Sequence, residues 1–201
     1  MIIWLLLGAS VGLYAQNPNI EQFQSELRQK NEKVTSIRCD FVQTREVSML
    51  ANAVTKEGTF HFQSPHNMLL AFDDGDYIKM TAEWFEMKTG ENVAGTKVSS
   101  NPMLRNLNAI LGACVGGDFD KMIKGFEVDC SLSQSEWIVT LTPQQAKAAS
   151  KIARIVVRFD KNDMSLNLLK IEERTGDYTA YAFSHKQFNV ALPDHLFNVS
   201  E

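Results

Sequence analysis

The sequence predicts an α+β protein in which a strongly curved antiparallel sheet of about ten strands wraps around apolar helices. Three observations predict this class. Short runs in which apolar and polar residues alternate recur from residue 34 to residue 188, with turn sequences between them. An amphipathic helix precedes the first run, and a second, more apolar helix interrupts the series in mid-chain. A sheet that bends round can cover such a helix on its concave side.

The composition is that of a globular protein and excludes several other classes. Of the 201 residues, 44% are hydrophobic, 22% are charged and only five are proline, which excludes a disordered or collagen-like chain. The formal net charge is -4, and no run of Lys and Arg is long enough to follow a phosphate backbone. We therefore expect no nucleic-acid partner. The length predicts a single domain, over residues 16–201. The protein is expected to be a monomer.

Residues 1–15 are typical of a secretory signal peptide. They begin with seven consecutive apolar residues and end at Ala15, a small residue before the polar Gln16, although the usual basic start is missing. The stretch is too short for a membrane-spanning helix, which needs about 20 residues, so a permanent membrane anchor is not expected. As a signal peptide it predicts export into an oxidising compartment. Gly8–Gly12 matches the G-x-S-x-G nucleophile motif. A cleaved apolar segment cannot place Ser10 between a strand and a helix, so the motif predicts no hydrolase.

The first element of the mature chain is an amphipathic helix. Asn17 is a capping residue and Pro18 fits the first helical turn, after which Ile20, Phe23 and Leu27 mark one face among polar residues. Strands follow where the period of the pattern changes to two. They are predicted over residues 34–41, 58–62, 68–72, 77–80, 84–87, 126–132, 137–141, 152–159, 166–173 and 178–188.

A second helix is predicted over residues 102–111, in the middle of the strand series. Asn101-Pro102 repeats the signal that begins the first helix, apolar residues recur at helical spacing, and Gly112 ends the element. A further short helix is predicted over residues 118–124. The helix over residues 102–111 is apolar enough to serve as a lid over the sheet, through Leu104, Leu107, Ile110 and Leu111.

Three cysteines in an oxidising compartment suggest one disulfide bond and one free thiol. Cys114 and Cys130 are the expected pair, because a hairpin-like return between them would bring them together, and Cys39 is expected to be a buried free thiol. No metal site is predicted, since no CxxC or HxxxH spacing is present, and no cofactor is expected. The four His lack any motif that places a Ser and an acid beside them, and His61 and His185 are expected on the solvent face.

Bulky apolar side chains share the face of the strands that is expected to point inward. Alternation is what any half-buried sheet shows, so these side chains form either an ordinary hydrophobic core or the lining of a ligand cavity. The mixture of flexible Met with Phe favours a cavity for ligands of irregular shape. The candidate lining residues are Phe41, Phe60, Phe62, Met68, Leu70, Ile78, Met80, Phe85 and Trp137.

Motifs along nearly all of the mature chain resemble those of one protein family. They occur in the order Phe41-Val-Gln43, then Gly58-x-Phe60-x-Phe62-x-x-Pro65-x-x-Met68, a strand with Trp84, an apolar helix led by Pro102, and a closing Phe188-Asn-Val, Pro193 and Phe197-Asn-Val199. This series resembles the LolA-type outer-membrane lipoprotein carriers of Gram-negative periplasms. One departure is Ser64, at a position where members often have an Arg that hydrogen-bonds the lid backbone.

The resemblance implies an unclosed antiparallel β-barrel with a helical lid, and a carrier rather than an enzyme. Such a carrier binds acylated lipoproteins or lipids in the periplasm, receives them from an inner-membrane release complex and delivers them to an outer-membrane acceptor. A module that senses lipids or lipoproteins is the alternative, because one fold serves more than one function.

Overall fold

The computed structural model describes residues 18–48, 52–100, 110, 112–114, 125–144 and 151–199. Within these ranges the chain forms one long helix at its start, eleven strands and two short 3₁₀ turns. The helix is α1 (Pro18–Asn31), and the strands are β1 (Ser36–Glu46), β2 (Val54–Gln63), β3 (Asn67–Phe72), β4 (Tyr77–Met80), β5 (Trp84–Thr89), β6 (Asn92–Lys97), β7 (Phe126–Leu132), β8 (Glu136–Pro143), β9 (Ile152–Asp160), β10 (Leu166–Glu173) and β11 (Tyr178–Phe188).

All eleven described strands belong to one antiparallel sheet in the order β6-β5-β4-β3-β2-β1-β11-β10-β9-β8-β7. The sheet is not closed, because β6 and β7 each pair with one neighbour among the described strands. The predicted fold class, an open antiparallel barrel with helix, is confirmed. The strand that the sequence pattern missed is β6, whose side chains are almost all exposed, so no apolar and polar residues alternate along it.

The apolar residues of the strands lie on one face, as their alternation predicts. On β8 the side chains of Trp137, Val139 and Leu141 are fully buried, and the residues between them are half-buried. The same alternation on β1 and β2 buries Phe41 and Phe60. This concave face therefore carries the hydrophobic core, which is one continuous cluster.

Helix α1 fills one half of the concave face. Phe23 and Leu27 on its apolar side are 0% exposed. The Phe23 ring lies 5.7 Å from the Trp137 ring on β8 and 5.1 Å from the Phe159 ring on β9, measured between centroids. The indole nitrogen of Trp137 also donates a hydrogen bond to Glu26 Oε2, at 3.1 Å. The C-terminal strands are thus covered by a helix that is held by both apolar and polar contacts.

The mid-chain helix is described at few positions. Ile110 and residues 112–114 are helical, and Ile110 is 1% exposed. Asn31, the last residue of α1, donates from Nδ2 to the backbone oxygen of Cys114 at 3.3 Å. Ile110, the described residue of the predicted lid, is therefore buried, and the helical Cys114 that follows it contacts the end of α1. Leu104, Leu107 and Leu111 lie outside the described residues, as does the helix predicted over residues 118–124.

The predicted disulfide bond between Cys114 and Cys130 is wrong. Cys39, Cys114 and Cys130 are all free and buried, so the expected Cys114–Cys130 bond is not formed. The reason is the length of α1. Cys130 Sγ lies 3.8 Å from the backbone oxygen of Asn19 at the start of the helix, whereas Cys114 contacts Asn31 at its end. With a rise of about 1.5 Å per residue these two contact points are about 18 Å apart, too far for a disulfide bond. Burial raises the pKa of each thiol to about 12, which keeps it protonated and unreactive.

The end of the described chain lies against the outer face of the sheet. The 3₁₀ turn Asp194–Phe197 packs on β3, and both Phe197 and the outward-facing Leu69 are buried. His61 was expected on the solvent face. It is on the outer face but half-buried, and burial lowers its pKa. His185 is exposed, as expected.

Gly58 on β2 permits a close approach of two strands. A Cβ atom at this position would lie 2.1 Å from the backbone oxygen of Ala71 on β3, far inside van der Waals contact. We expect Gly58→Ala to lower the free energy of unfolding by about 1–3 kcal/mol, measured by denaturant titration. The control is Gly112→Ala, a helical position where no atom of the described residues beyond the helix's own backbone lies within 4 Å of the added Cβ. Equal stability of Gly58→Ala and the wild type would contradict the steric role.

Candidate functional site

A small apolar cavity of about 70 Å³ lies on the concave face, beside the half that α1 covers. Two walls form it. One wall is β3 and β4, and the other is β10 and β11. The lining residues are Met68, Leu70, Ile78 and Met80 from the first wall, and Leu169, Ile171, Tyr181 and Phe183 from the second.

Register and curvature explain how these residues meet. Met68 pairs with Met80, and Leu70 with Ile78, so the first wall presents four side chains as two adjacent pairs. On the second wall Leu169 pairs with Tyr181. In the sheet order β2 and β1 separate the two walls, so only a strongly curved sheet brings them face to face.

Aromatic side chains of the core pack between the two walls, and we call this cluster the floor; of its rings, Tyr181 and Phe183 line the cavity itself. Phe60 of β2 and Phe183 of β11 meet edge to face, with ring centroids 5.4 Å apart. The Phe41 ring of β1 contacts the Phe72 ring at 5.1 Å and the Tyr181 ring at 6.1 Å. These ring pairs are of the kind that stabilise packing beyond the area they bury, so we expect the floor to be the rigid part of the site.

The structure divides the nine predicted lining residues into two groups. Met68, Leu70, Ile78 and Met80 line the cavity. The others are core residues beside it or away from it: Phe41, Phe60, Phe62, Phe85 and Trp137. Trp137 belongs to the half under α1, where it packs on Phe23, so it lies apart from this cavity.

Sequence reasoning left the second wall out of the candidate list. Tyr181 and Phe183 share the inward face of their predicted strand, and Leu169 and Ile171 lie on the next strand, but none of the four is among the predicted lining residues. The period-two signal that places all four inward is present in the sequence. What the sequence does not state is that β10 faces β3, because that contact depends on the curvature of the whole sheet.

The cavity is too small to hold an acyl chain as it stands. Sites for drug-sized ligands enclose about 300–1,000 Å³, several times more than the 70 Å³ found here. A cavity large enough for the acyl chains that the family resemblance implies is therefore not open in this structure. Binding a chain requires the walls to part or a covering segment to leave, and the flexible side chains of Met68 and Met80 are suited to such repacking.

One end of the cavity is polar. Tyr181 lies directly opposite Gln43 in the pairing of β11 with β1, and Gln43 Nε2 donates a hydrogen bond to the Tyr181 hydroxyl oxygen at 2.8 Å. On the other side of Gln43 lies Lys56 of β2. The ammonium of Lys56 is 2.8 Å from Asp74 and 2.7 Å from Asp76, and these bonds lower the pKa of both carboxyls.

Within the described ranges no group of three or more His, Cys, Asp or Glu side chains is placed to hold a metal ion. In the same part of the chain no helix combines the length and the apolar character that crossing a membrane requires.

Comparison with known proteins identifies one sequence family. The sequence profile described as "Outer membrane lipoprotein carrier protein LolA" matches residues 32–200. No curated protein sequence matches the chain at a significant level.

Solved structures are similar in fold at low sequence identity. An uncharacterized conserved protein from Thermus thermophilus has a TM-score of 0.52 and 8% identity, over 90% of this chain and 94% of that one. A LolA superfamily protein from Nitrosomonas europaea has a TM-score of 0.44 and 8% identity, over 89% of this chain and 97% of that one. Lipoprotein LppX from Mycobacterium tuberculosis has a TM-score of 0.46 and 11% identity, over 89% of this chain and 99% of that one. The first of these similarities shows the fold alone.

Proposed function

Because the chain belongs to the LolA family of outer membrane lipoprotein carrier proteins, we propose that it carries lipoproteins by enclosing their acyl chains between the two walls of the open barrel. The observation that carries the proposal is the cavity itself. Seven of the eight described side chains that line it are hydrophobic without an O–H or N–H group, and they come from both walls. In this function the protein binds and releases its cargo without chemical change.

The energetics of acyl chains explain why a carrier is needed. Each CH₂ group moved from water to an apolar site contributes about 0.8 kcal/mol, so a few chains of ordinary length amount to tens of kcal/mol. Release into water would be far too costly, and transfer must be direct. We therefore propose that the partners are an inner-membrane release complex as donor and an outer-membrane acceptor, and that the protein works in the periplasm.

The cavity is proposed to open when the mid-chain helix moves. The mid-chain helix, with Ile110 and with Leu104, Leu107 and Leu111 predicted on the same apolar face, occupies the interior when the carrier is empty and leaves it on loading. Support comes from the small size of the cavity and from the burial of Ile110. A covering helix that competes with cargo keeps the affinity below that of the acceptor, which favours delivery.

The variant Ile110→Ala tests this competition. Truncating the buried side chain is expected to lower the free energy of unfolding of the empty protein by about 2–4 kcal/mol. The same change is expected to tighten binding of an acylated peptide about tenfold, because displacing the helix becomes easier. Denaturant titration and fluorescence binding measure the two effects. Weaker binding by Ile110→Ala would mean that the helix is permanent core and is not displaced.

Identification of the natural cargo tests the function as a whole. The mature protein is purified from its own periplasm, and bound material is identified by mass spectrometry. Triacylated lipoproteins are the expected result. Free lipid alone would favour a lipid shuttle or a sensor over a lipoprotein carrier, and a preparation without any bound acyl chain would contradict the proposal.

A further inference from the structure

The cavity has one hydrogen-bonding side chain among its described lining residues. This is Tyr181, whose ring forms part of the wall and whose hydroxyl lies at the polar end, 2.8 Å from Gln43 Nε2. The two residues are direct partners across β1 and β11, so the position of the pair is fixed by the sheet itself. A polar pair in this place is not needed to close the core, since an apolar pair would fill the same space.

The chemistry of the pair is that of a donor site. The Tyr181 oxygen accepts the bond from Gln43, so its own proton is not used in that bond. The Gln43 amide carries two hydrogens and uses one of them. Burial raises the pKa of Tyr181, so the hydroxyl keeps its proton at neutral and moderately alkaline pH. Among the described residues neither proton has another partner, so two neutral donors remain for an acceptor on a ligand.

The inner face changes in polarity along the strands at this point. On β1 the inward positions run from the buried Phe41 through Gln43 to the exposed Arg45. On β11 they run from Phe183 to Tyr181 and then to Thr179. The apolar floor therefore ends where the pair begins, and the exposed rim lies beyond it. A ligand with an apolar tail and a polar head would place the junction of the two at Tyr181.

We propose that Tyr181 and Gln43 bind the carbonyl oxygen at the head of an acyl chain, so that the site selects ester- or amide-linked chains over plain alkyl chains. The tail then extends toward Met68 and Met80 at the other end of the cavity. The two neutral donors match the carbonyl oxygen of an ester or amide, which accepts hydrogen bonds without bringing a charge into the cavity. This inference rests on the proposed function and assigns the orientation of the cargo.

Two dansyl-labelled ligands of equal length test the proposal, one a palmitoyl ester and one the matching hexadecyl ether. Fluorescence titration of the wild type is expected to give about tenfold tighter binding of the ester, the value of one well-placed hydrogen bond. Tyr181→Phe keeps the ring and is expected to weaken ester binding to about the level of the ether, while ether binding falls much less because the ether oxygen lies away from the carbonyl position. Gln43→Met is also expected to weaken binding of the ester more than binding of the ether. Tyr178→Phe is the control, because Tyr178 lies on the same strand but not in the lining.

The outcomes separate this inference from the proposed function. Equal binding of ester and ether by the wild type would overturn carbonyl recognition and leave acyl binding standing. Equal losses for both ligands in Tyr181→Phe would also overturn it, because the tyrosine would then act only through packing. Failure of the wild type to bind either ligand would contradict the proposed function, and the inference with it.

Discussion

Replacing Ile78 with glutamate is expected to reduce the affinity for an acylated peptide at least about 100-fold. Ile78 lies on the first wall, pairs with Leu70 and contributes to the cavity lining. In the empty protein its half-buried position lets a longer side chain turn toward solvent. With an acyl chain in place the carboxylate would be enclosed by hydrocarbon, and burial of an unpaired charge costs several kcal/mol. Fluorescence titration measures the loss, and circular dichroism checks that the sheet is retained.

The matched control for this variant is Val93→Glu. Val93 is on the edge strand β6, is 50% exposed and is not part of the cavity lining, so the same charge is added outside the site. Binding is expected to stay at the wild-type level. If a folded Ile78→Glu protein bound the peptide as tightly as Val93→Glu, the acyl chain could not lie between β3/β4 and β10/β11.

Replacing Phe23 with alanine is expected to have the largest effect on stability, about 3–5 kcal/mol lost from the free energy of unfolding. The Phe23 ring is fully buried and contacts the rings of Trp137 and Phe159. Its removal leaves a void under α1 that the rigid strands β8 and β9 cannot fill. Urea titration measures the change.

The Phe23→Ala variant also separates the two halves of the concave face. Because Phe23 contacts β8 and β9 and the cavity lies between other strands, the folded variant is expected to bind acylated peptide with an affinity close to that of the wild type. Ser25→Ala on the exposed side of α1 is the stability control and is expected to be nearly neutral. A cost below about 1 kcal/mol for Phe23→Ala would mean that α1 is not a fixed part of the core.

The fold could be predicted largely from local patterns. Ten of the eleven described strands and α1 follow from the spacing of apolar residues, because period two and period 3.6 are properties of each segment alone. Strand β6 gave no such signal, since its side chains are exposed on both faces. It is recognisable in the structure through its pairing with β5 and not through its composition.

The site could be predicted only in part, because it depends on contacts between distant segments. The inward residues of β3 and β4 were identified, whereas Leu169 and Ile171 of the opposite wall were not. The expected Cys114–Cys130 bond failed for the same reason. The sequence suggests a short return between the two cysteines, but α1 lies between them and holds them near its opposite ends.

Photo-crosslinking gives the most direct test of acyl binding between the two walls. A palmitoylated peptide with a diazirine in its acyl chain is bound to the protein and irradiated, and the modified residues are located by mass spectrometry. We predict adducts on both walls, at residues such as Met80 and Leu169, that an excess of unlabelled palmitoylated peptide removes. Adducts confined to exposed residues such as Val93, or unaffected by the competitor, would contradict binding between the walls.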